Sequence, residues 1–449
     1  MSDRNFDALV VGSGPAGAVA ARELAAAGWS VAVAERGPMG GTCPLRGCEP
    51  KKTLVDGAEA VDRVRRLSGK GPSGDLRLDW PDAVRFVKTF TEPVPEAVER
   101  SLKKASITAL HGSARFVDPE TMQVGEERIN ARRFILAVGA KPRPLDIPGE
   151  ELILDGHELM AMDRLPSPLC FIGAGYVSFE LAYVTAVAGA QVEILHRSRQ
   201  PLKDFDPDLA SLLMEDFAEH GVKLRTDSPV RSVRQVGGEL AVLAGDAEVR
   251  CQAVVHGAGR IPDIDGLDLP AGEVDVVRGG VAVNKYMRSP SNERVYAAGD
   301  ATEVGQPLTP TAVLQAQAVA ANILEGDVEA VSHKGTPSAL FTVPRLARAG
   351  MLESEAREQG LPFKRACQQT GDSAFFRRVG EKRAGYKILV HAETGEILGA
   401  HLLGFQSEEA VNLFAMAIRA GLGVEAMRSM VWAYPSRGYR IRHMLDALK

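Results

Sequence analysis

Along this chain, short apolar runs alternate with glycine turns and helical stretches, a pattern that predicts strands followed by helices. Residues 7–11, Asp-Ala-Leu-Val-Val, read as a strand buried on both faces. An alanine-rich helix over 18–27 follows, then a strand over 29–34 that ends at Glu35. Helical periodicity returns at 53–67 and again at 81–104, the second stretch interrupted near Pro93 and Pro95. Between them, 68–79 is rich in Gly, Lys, Pro and Ser and reads as a surface loop. Short strands are expected at 107–117, 122–129 and 133–140. A second strand, glycine turn and helix open at Leu169, with a further strand over 191–195. The last third holds a strand at 295–298, a helix over 308–320, and two strands, 385–390 and 397–403, that bracket the hairpin signal Glu393-Thr394-Gly395-Glu396. An amphipathic helix over 408–420 is stopped by Gly421.

Two of these turns carry chemistry. Gly12-Ser13-Gly14-Pro15-Ala16-Gly17 lies between a strand and a helix, and the next strand ends in an acid. Gly12 allows the tight turn, Gly14 lets the backbone approach a pyrophosphate, and Gly17 lets helix and strand pack closely. The helix N-terminus opened by Pro15 and Ala16 attracts phosphate. Glu35, with Arg36 beside it, can accept both hydroxyls of an adenosine ribose. The second turn, Gly173-Ala174-Gly175-Tyr176-Val177, has Ser178 in the third glycine's place, where a small residue suffices. After its partner strand stand Arg197, Arg199 and Lys203, where an NAD-preferring domain would carry an acid. Cations there can bind a 2′-phosphate, which favours NADPH over NADH; the alternative is a solvated basic loop. Two such units imply two dinucleotides.

Length and composition set the frame. The 449 residues suffice for about three domains. A formal charge of −5 gives no reason to expect nucleic acid or an anionic membrane as partner. No apolar run reaches transmembrane length, and Met1-Ser2-Asp3-Arg4-Asn5 is no signal peptide. Five cysteines, Cys43, Cys48, Cys170, Cys251 and Cys367, point to a reducing compartment, expected to be the cytoplasm, rather than to a secreted scaffold. No second close cysteine pair or histidine cluster completes a zinc site, so no metal is expected.

The stretch Gly40-Gly41-Thr42-Cys43-Pro44-Leu45-Arg46-Gly47-Cys48-Glu49-Pro50-Lys51-Lys52 organises the rest. Cysteines five apart on an ideal helix lie roughly 8 Å apart, too far for a disulfide. Closure needs a distorted turn, which Pro44 and Gly47 can supply. A helix N-terminus and the cations Arg46, Lys51 and Lys52 would favour a thiolate.

In its context this stretch resembles the redox-active signature of the FAD-dependent pyridine nucleotide-disulfide oxidoreductases, the family of glutathione reductase, dihydrolipoamide dehydrogenase and mercuric reductase. The resemblance covers nearly the whole chain, with motifs in family order. It implies an α/β fold of two Rossmann-like dinucleotide-binding domains plus a C-terminal α+β dimerisation domain. The expected boundaries are 1–148 for the FAD-binding domain with the cysteine pair, 149–266 for the NAD(P)H-binding domain, 267–334 for a central segment completing the FAD domain, and 335–449 for dimerisation. Cys43 and Cys48 would be the redox pair, Cys48 facing the flavin and Cys43 exchanging with substrate. Lys51 and Glu180 match an ion pair near the flavin N5. Gly41, Thr42, Lys52 and Gly139 would line the FAD, and Gly259-Arg260 resembles the segment closing the NAD(P)H domain. Gly299-Asp300 would receive the ribityl chain, and Thr309-Pro310-Thr311-Ala312 would open a helix toward the flavin's pyrimidine end. Val343-Pro344 should lie near the nicotinamide.

One site departs from the family. Where relatives carry His-Pro-Thr-x-x-Glu, supplied from the partner subunit of a homodimer, this chain reads Tyr434-Pro435-Ser436-Arg437-Gly438-Tyr439. A phenol, titrating near about 10, can donate a proton at neutral pH but is a poor base. Tyr434, with Tyr439, would replace the acid; His443 is a substitute only if it is more than a surface or packing residue. Arg46 and Arg437 would either meet an anionic substrate or solvate the rim. Three functions are open: reduction of a small-molecule disulfide or other sulfur substrate by NADPH through FAD and the cysteine pair; reduction of a quinone, metal ion or protein thiol; or a redox-silent FAD-binding dimer.

Overall fold

The computed structural model describes residues 3–448; Met1, Ser2 and Lys449 lie outside the described residues. The fold is α/β, with two dinucleotide-binding sheets and a C-terminal α+β domain. Its residues gather into two compact units.

The first unit takes the described residues up to Pro50, Phe86–Arg143 and Arg260–His333. Its sheet runs Thr108–His111, Val31–Glu35, Asp3–Val11, Glu127–Leu136, Thr121–Val124, Ala114–Asp118, with Val295–Ala297 also paired to Glu127–Leu136. The strands on either side of Asp3–Val11 lie parallel to it, so their side chains are covered on both faces. This explains the unbroken apolar runs: Leu9 and Val10 are both fully buried, in different clusters. Helices Pro15–Ala26 and Thr309–Glu325 cover one face. The strand expected at 122–129 is two strands, because Gly125 turns with positive φ between Thr121–Val124 and Glu127–Leu136.

The second unit takes Lys51–Arg85, Pro144–Gly259 and the residues from Lys334 on. It holds a parallel sheet in the order Lys223–Arg225, Val192–Leu195, Leu169–Ile172, Ala253–His256, and an antiparallel three-stranded sheet over 230–251. Its C-terminal part is a five-stranded antiparallel sheet, Ser338–Leu340, Leu346–Gly350, Ile397–Leu403, Gly385–His391, Phe363–Gln369, packed on helix Ser407–Ala420. Gly421 ends that helix in the left-handed conformation at φ 66°. Among the described residues no helix is long and apolar enough to cross a membrane.

The five-stranded sheet buries charge. Lys387 is held between Asp206 at 2.7 Å and Asp208 at 2.6 Å. Its cross-strand partner His401 is fully buried and donates Nε2–H to the Met351 carbonyl at 2.9 Å. Burial, with Arg348 and Lys387 nearby, pushes the His401 pKa down to about 4, against the pull of Asp206 and the Met351 carbonyl. The folded value lies below the unfolded one, so this contribution is present above pH 6.5 and is lost as pH falls toward 4. Buried Glu381, pushed up to about 7, acts in the opposite sense over part of that window. Replacing His401→Gln keeps a donor for Met351 without a titrating ring. Denaturant titrations between pH 7 and 4.5 should show the variant losing less stability on acidification, by about 1.4 kcal/mol per pH unit below 6.5. Parallel pH curves would show that burial does not depress the ring's pKa in the folded protein.

Candidate active site

In the first fingerprint Gly12 has φ 105°, and a Cβ there would overlap the Ala137 carbonyl. A Cβ on Gly17 would overlap the Gly12 carbonyl, so this glycine serves helix–strand packing. Gly14 differs: a Cβ on it would meet nothing closer than the Gly41 Cα at 3.8 Å. The protein leaves backbone approachable there, at the N-terminus of helix Pro15–Ala26, which fits a pyrophosphate. Glu35 is aimed by Ser13, whose N–H and hydroxyl reach Oε2 at 3.0 and 2.7 Å, and by the Gly37 N–H on Oε1 at 3.0 Å. Three of a carboxylate's roughly four acceptor positions are then used, leaving capacity for one hydroxyl. Arg36 pairs with Asp263, and Arg260 donates to the Ala140 carbonyl.

Two groups fit a flavin by what they lack. Asp300 is half-buried, and its carboxylate makes no hydrogen bond among the described residues; burial raises its pKa, with Arg260 offsetting part of the rise. The Thr311 hydroxyl is buried with no partner among the described residues, in the first turn of helix Thr309–Glu325. A buried hydroxyl without a partner is costly unless something else bonds it, and the half-buried carboxylate leaves its acceptors open. The turn carrying Asp300 is fastened by Gln315, which accepts the Gly299 N–H and donates to the Val304 carbonyl, both at 2.7 Å. Sequence reading missed the roles of Ser13 and Gln315; a polar residue flanked by alanines in the helix after Thr309 was the available signal.

The cysteines sit at a break between two helices, Thr42–Arg46 and Cys48–Arg66. Gly47 makes the break with φ −127° and ψ −104°, and a Cβ there would press on the Thr42 carbonyl at 2.9 Å. The helix expected from Thr53 therefore begins five residues earlier, at Cys48 itself. Both cysteines are thiols. Cys48 Sγ lies 3.6 Å from the Thr309 hydroxyl, placing that residue, expected beside the flavin, against the sulfurs. The hydrogen bond with Cys48, then burial, push the Cys43 thiol up, while Thr309 pulls it down.

In the second unit, a Cβ on Gly173 would overlap the Gly257 carbonyl. Ser178 packs so tightly on Gly257 that the latter tolerates no side chain, which is why a small residue could replace the third glycine. Arg197, Arg199 and Lys203 are exposed and make no ion pair among the described residues. His196 is not one of these cations. Burial lowers its pKa, and its Nδ1 accepts the Ala174 N–H of the glycine turn at 3.3 Å.

Glu180 is fully buried and shared. Lys51 reaches it at 2.7 Å, Lys52 at 2.7 and 2.8 Å, and the Phe341 N–H at 2.8 Å. Burial would raise its pKa; the two ammonium groups more than offset that and hold the carboxyl below its usual range. Lys51 also lies 4.7 Å from the Tyr176 ring, and Lys52 lies 4.1 Å from the Phe341 ring. The Lys51–Glu180 pair expected from the family resemblance is present, and Lys52 shares the same carboxylate.

Tyr434 is 77% exposed and meets Tyr439 edge-on at 4.8 Å, and Tyr439 meets the exposed His443 at 5.6 Å. Arg437 neither contacts substrate nor solvates a rim. It is 2% exposed, donates to the Gly385 and Leu403 carbonyls, and lies 4.6 Å from the Phe376 ring. Burial pushes its pKa down to about 9.

The sequence profile described as pyridine nucleotide-disulphide oxidoreductase matches residues 6–316, and that described as its dimerisation domain matches 336–444. Glutathione reductase of Nostoc sp. (strain PCC 7120) is 29% identical, covering 96% of this chain and 97% of that protein. Mercuric reductase of Staphylococcus aureus is 28% identical, covering 94% of this chain and 79% of that one. Among solved structures, the Cu(II) complex of the HOCl-induced flavoprotein disulfide reductase RclA from Escherichia coli superposes with a TM-score of 0.90 at 25% identity, covering 99% of this chain and all of that one.

The Thr309 hydroxyl generates a direct test. Thr309→Val keeps the shape and removes the donor to the cysteine pair. A hydrogen bond to a charged group contributes about 1.5–3 kcal/mol, so the pH midpoint for alkylation of the pair by iodoacetamide should rise by about one to two units. An unchanged midpoint would mean that the hydroxyl does not stabilise the thiolate.

Proposed function

This chain belongs to the pyridine nucleotide-disulphide oxidoreductase family, and from that membership we propose that it passes electrons from NADPH through FAD to the Cys43–Cys48 pair and on to a disulfide or other sulfur substrate. The observation that carries the reading is the hydrogen-bonded thiol pair at the Gly47 break, backed by the Thr309 hydroxyl. Residues 1–148 and 267–334 would hold FAD, 149–266 NADPH, and 335–449 the contact between two subunits.

FAD, when bound, would supply two-electron exchange between the nicotinamide and the cysteine pair. Gly14 and the helix after it would take the pyrophosphate, Glu35 one ribose hydroxyl, Asp300 the ribityl chain and Thr311 the ring. Lys51 and Glu180 would set the charge where hydride arrives. Cys43, as thiolate, would attack the substrate disulfide and form a mixed disulfide with one substrate sulfur, expelling the other. Cys48 would then attack Cys43, closing the internal disulfide and releasing the second thiol. The two leaving thiolates take protons; Tyr434 of the partner subunit would be the donor, a reading supported by its 77% exposure.

Tyr434→Phe should leave flavin reduction by NADPH intact and slow reoxidation by the disulfide roughly 10²-fold or more, measured by stopped flow on each half-reaction. Reoxidation at the wild-type rate would favour the second reading, in which the acceptor is a quinone or metal ion that needs no acid. That reading rests on the same observation, a phenol in place of the family's histidine.

NADPH preference rests on the exposed Arg197, Arg199 and Lys203. Arg197→Glu should weaken NADPH more than NADH, by about tenfold if one charge-assisted contact is lost. Equal losses for both nucleotides in titrations of flavin reduction would show that the cations do not read the phosphate.

A further inference from the structure

Helix Cys48–Arg66 ends on a buried node that the proposed reaction does not use. The Arg66 side chain is 8% exposed. Its Nε–H donates to Asp62 at 2.7 Å, and two further N–H groups grip both oxygens of Asp216 at 2.9 and 2.7 Å. The guanidinium also donates to the Val343 carbonyl at 3.1 Å. Four of its five donors are thereby placed, on three separate segments. Tyr183 donates to Asp62 at 3.2 Å, and His220 flanks both carboxylates at 3.5 and 3.2 Å, where the hydrogen bond with Asp216 raises its pKa against the effect of burial.

Val343 belongs to a strap, Phe341–Pro344, that is pinned at both ends. Its Phe341 N–H is the neutral donor on Glu180, and its Val343 carbonyl is taken by Arg66. Between them the fully buried Thr342 donates to the Pro344 carbonyl at 2.7 Å, which stiffens the strap. Displacing the Val343 end would pull Phe341 from Glu180 and leave that carboxylate to the two lysines alone. We propose that Arg66 is a positioning residue for the Glu180–Lys51–Lys52 group, acting by seating this strap. The catalytic consequence rests on the reading above, in which that group serves reduction by NADPH; the seating of the strap does not.

Arg66→Lys offers one ammonium where the guanidinium spans Asp62, Asp216 and Val343. Hydrogen–deuterium exchange should show faster exchange at the Phe341 amide, confined to 341–343 and the end of helix Cys48–Arg66, with the five-stranded sheet unchanged. Unchanged exchange at Phe341, or acceleration spread over the whole unit, would overturn the proposal. In holoenzyme stopped flow, the limiting rate of flavin reduction should fall roughly 10- to 100-fold with little change in NADPH dissociation. The loss should nearly vanish when Glu180→Gln is already present, because the two changes act through one group. Full multiplication of the two losses would overturn it. Should Arg66→Lys not fold, Asp216→Asn, which removes one charge of the node, should show the same local exchange and a smaller rate loss; wild-type behaviour in both measurements would overturn the proposal. Local acceleration at Phe341 in a protein that NADPH does not reduce would leave the strap's role standing and remove the functional reading instead.

Discussion

A single buried carboxylate constrains much of the second unit. Taking an ion such as Glu180 out of water costs several kcal/mol, and the cost is met only when opposite charge and hydrogen bonds converge on it. Here two ammonium groups and one backbone N–H do so. Their convergence sets where helix Cys48–Arg66 lies against helix Tyr176–Val187 and where the strap after Leu340 must run. Removing any one partner would leave charge buried without full compensation, so the arrangement resists drift. The Tyr176 ring lies 4.7 Å from the Lys51 ammonium and the Phe341 ring 4.1 Å from that of Lys52, adding cation–π attraction.

The cysteine pair depends on a different constraint. Five residues of uninterrupted helix would hold the sulfurs too far apart to exchange a bond. Gly47 removes that obstacle by ending one helix and letting Cys48 start the next. The Thr309 hydroxyl lies against the resulting sulfur pair and pulls the Cys43 thiol pKa down, against the rise from Cys48 and burial.

The altered C-terminal motif follows from packing. Arg437 is drawn inside because two strand carbonyls and the Phe376 face accept it, with Glu381 the nearest opposite charge. Tyr434, three residues earlier, points outward with Tyr439 and His443 ranked behind it. One hexapeptide thus divides into an anchor and an exposed aromatic tip, which suits a segment that meets a second subunit.

Much of this was legible in the sequence because it rests on local rules. Apolar runs, glycine turns and the acid after the second strand follow from sterics and periodicity within some thirty residues, and they placed both fingerprints, the hairpin at Glu393–Glu396 and the helix stopped by Gly421. The spacing of Cys43 and Cys48 announced that a break was needed. Tertiary structure alone decided where each charge points. The pairing of Lys51 with Glu180 was expected from the family resemblance, but only the folded chain shows that Lys52 shares the same buried carboxylate, more than a hundred residues away. Arg437 read as a substrate contact or a rim cation because a sequence shows that a charge exists, but only the folded chain shows which carbonyls have been left waiting for it.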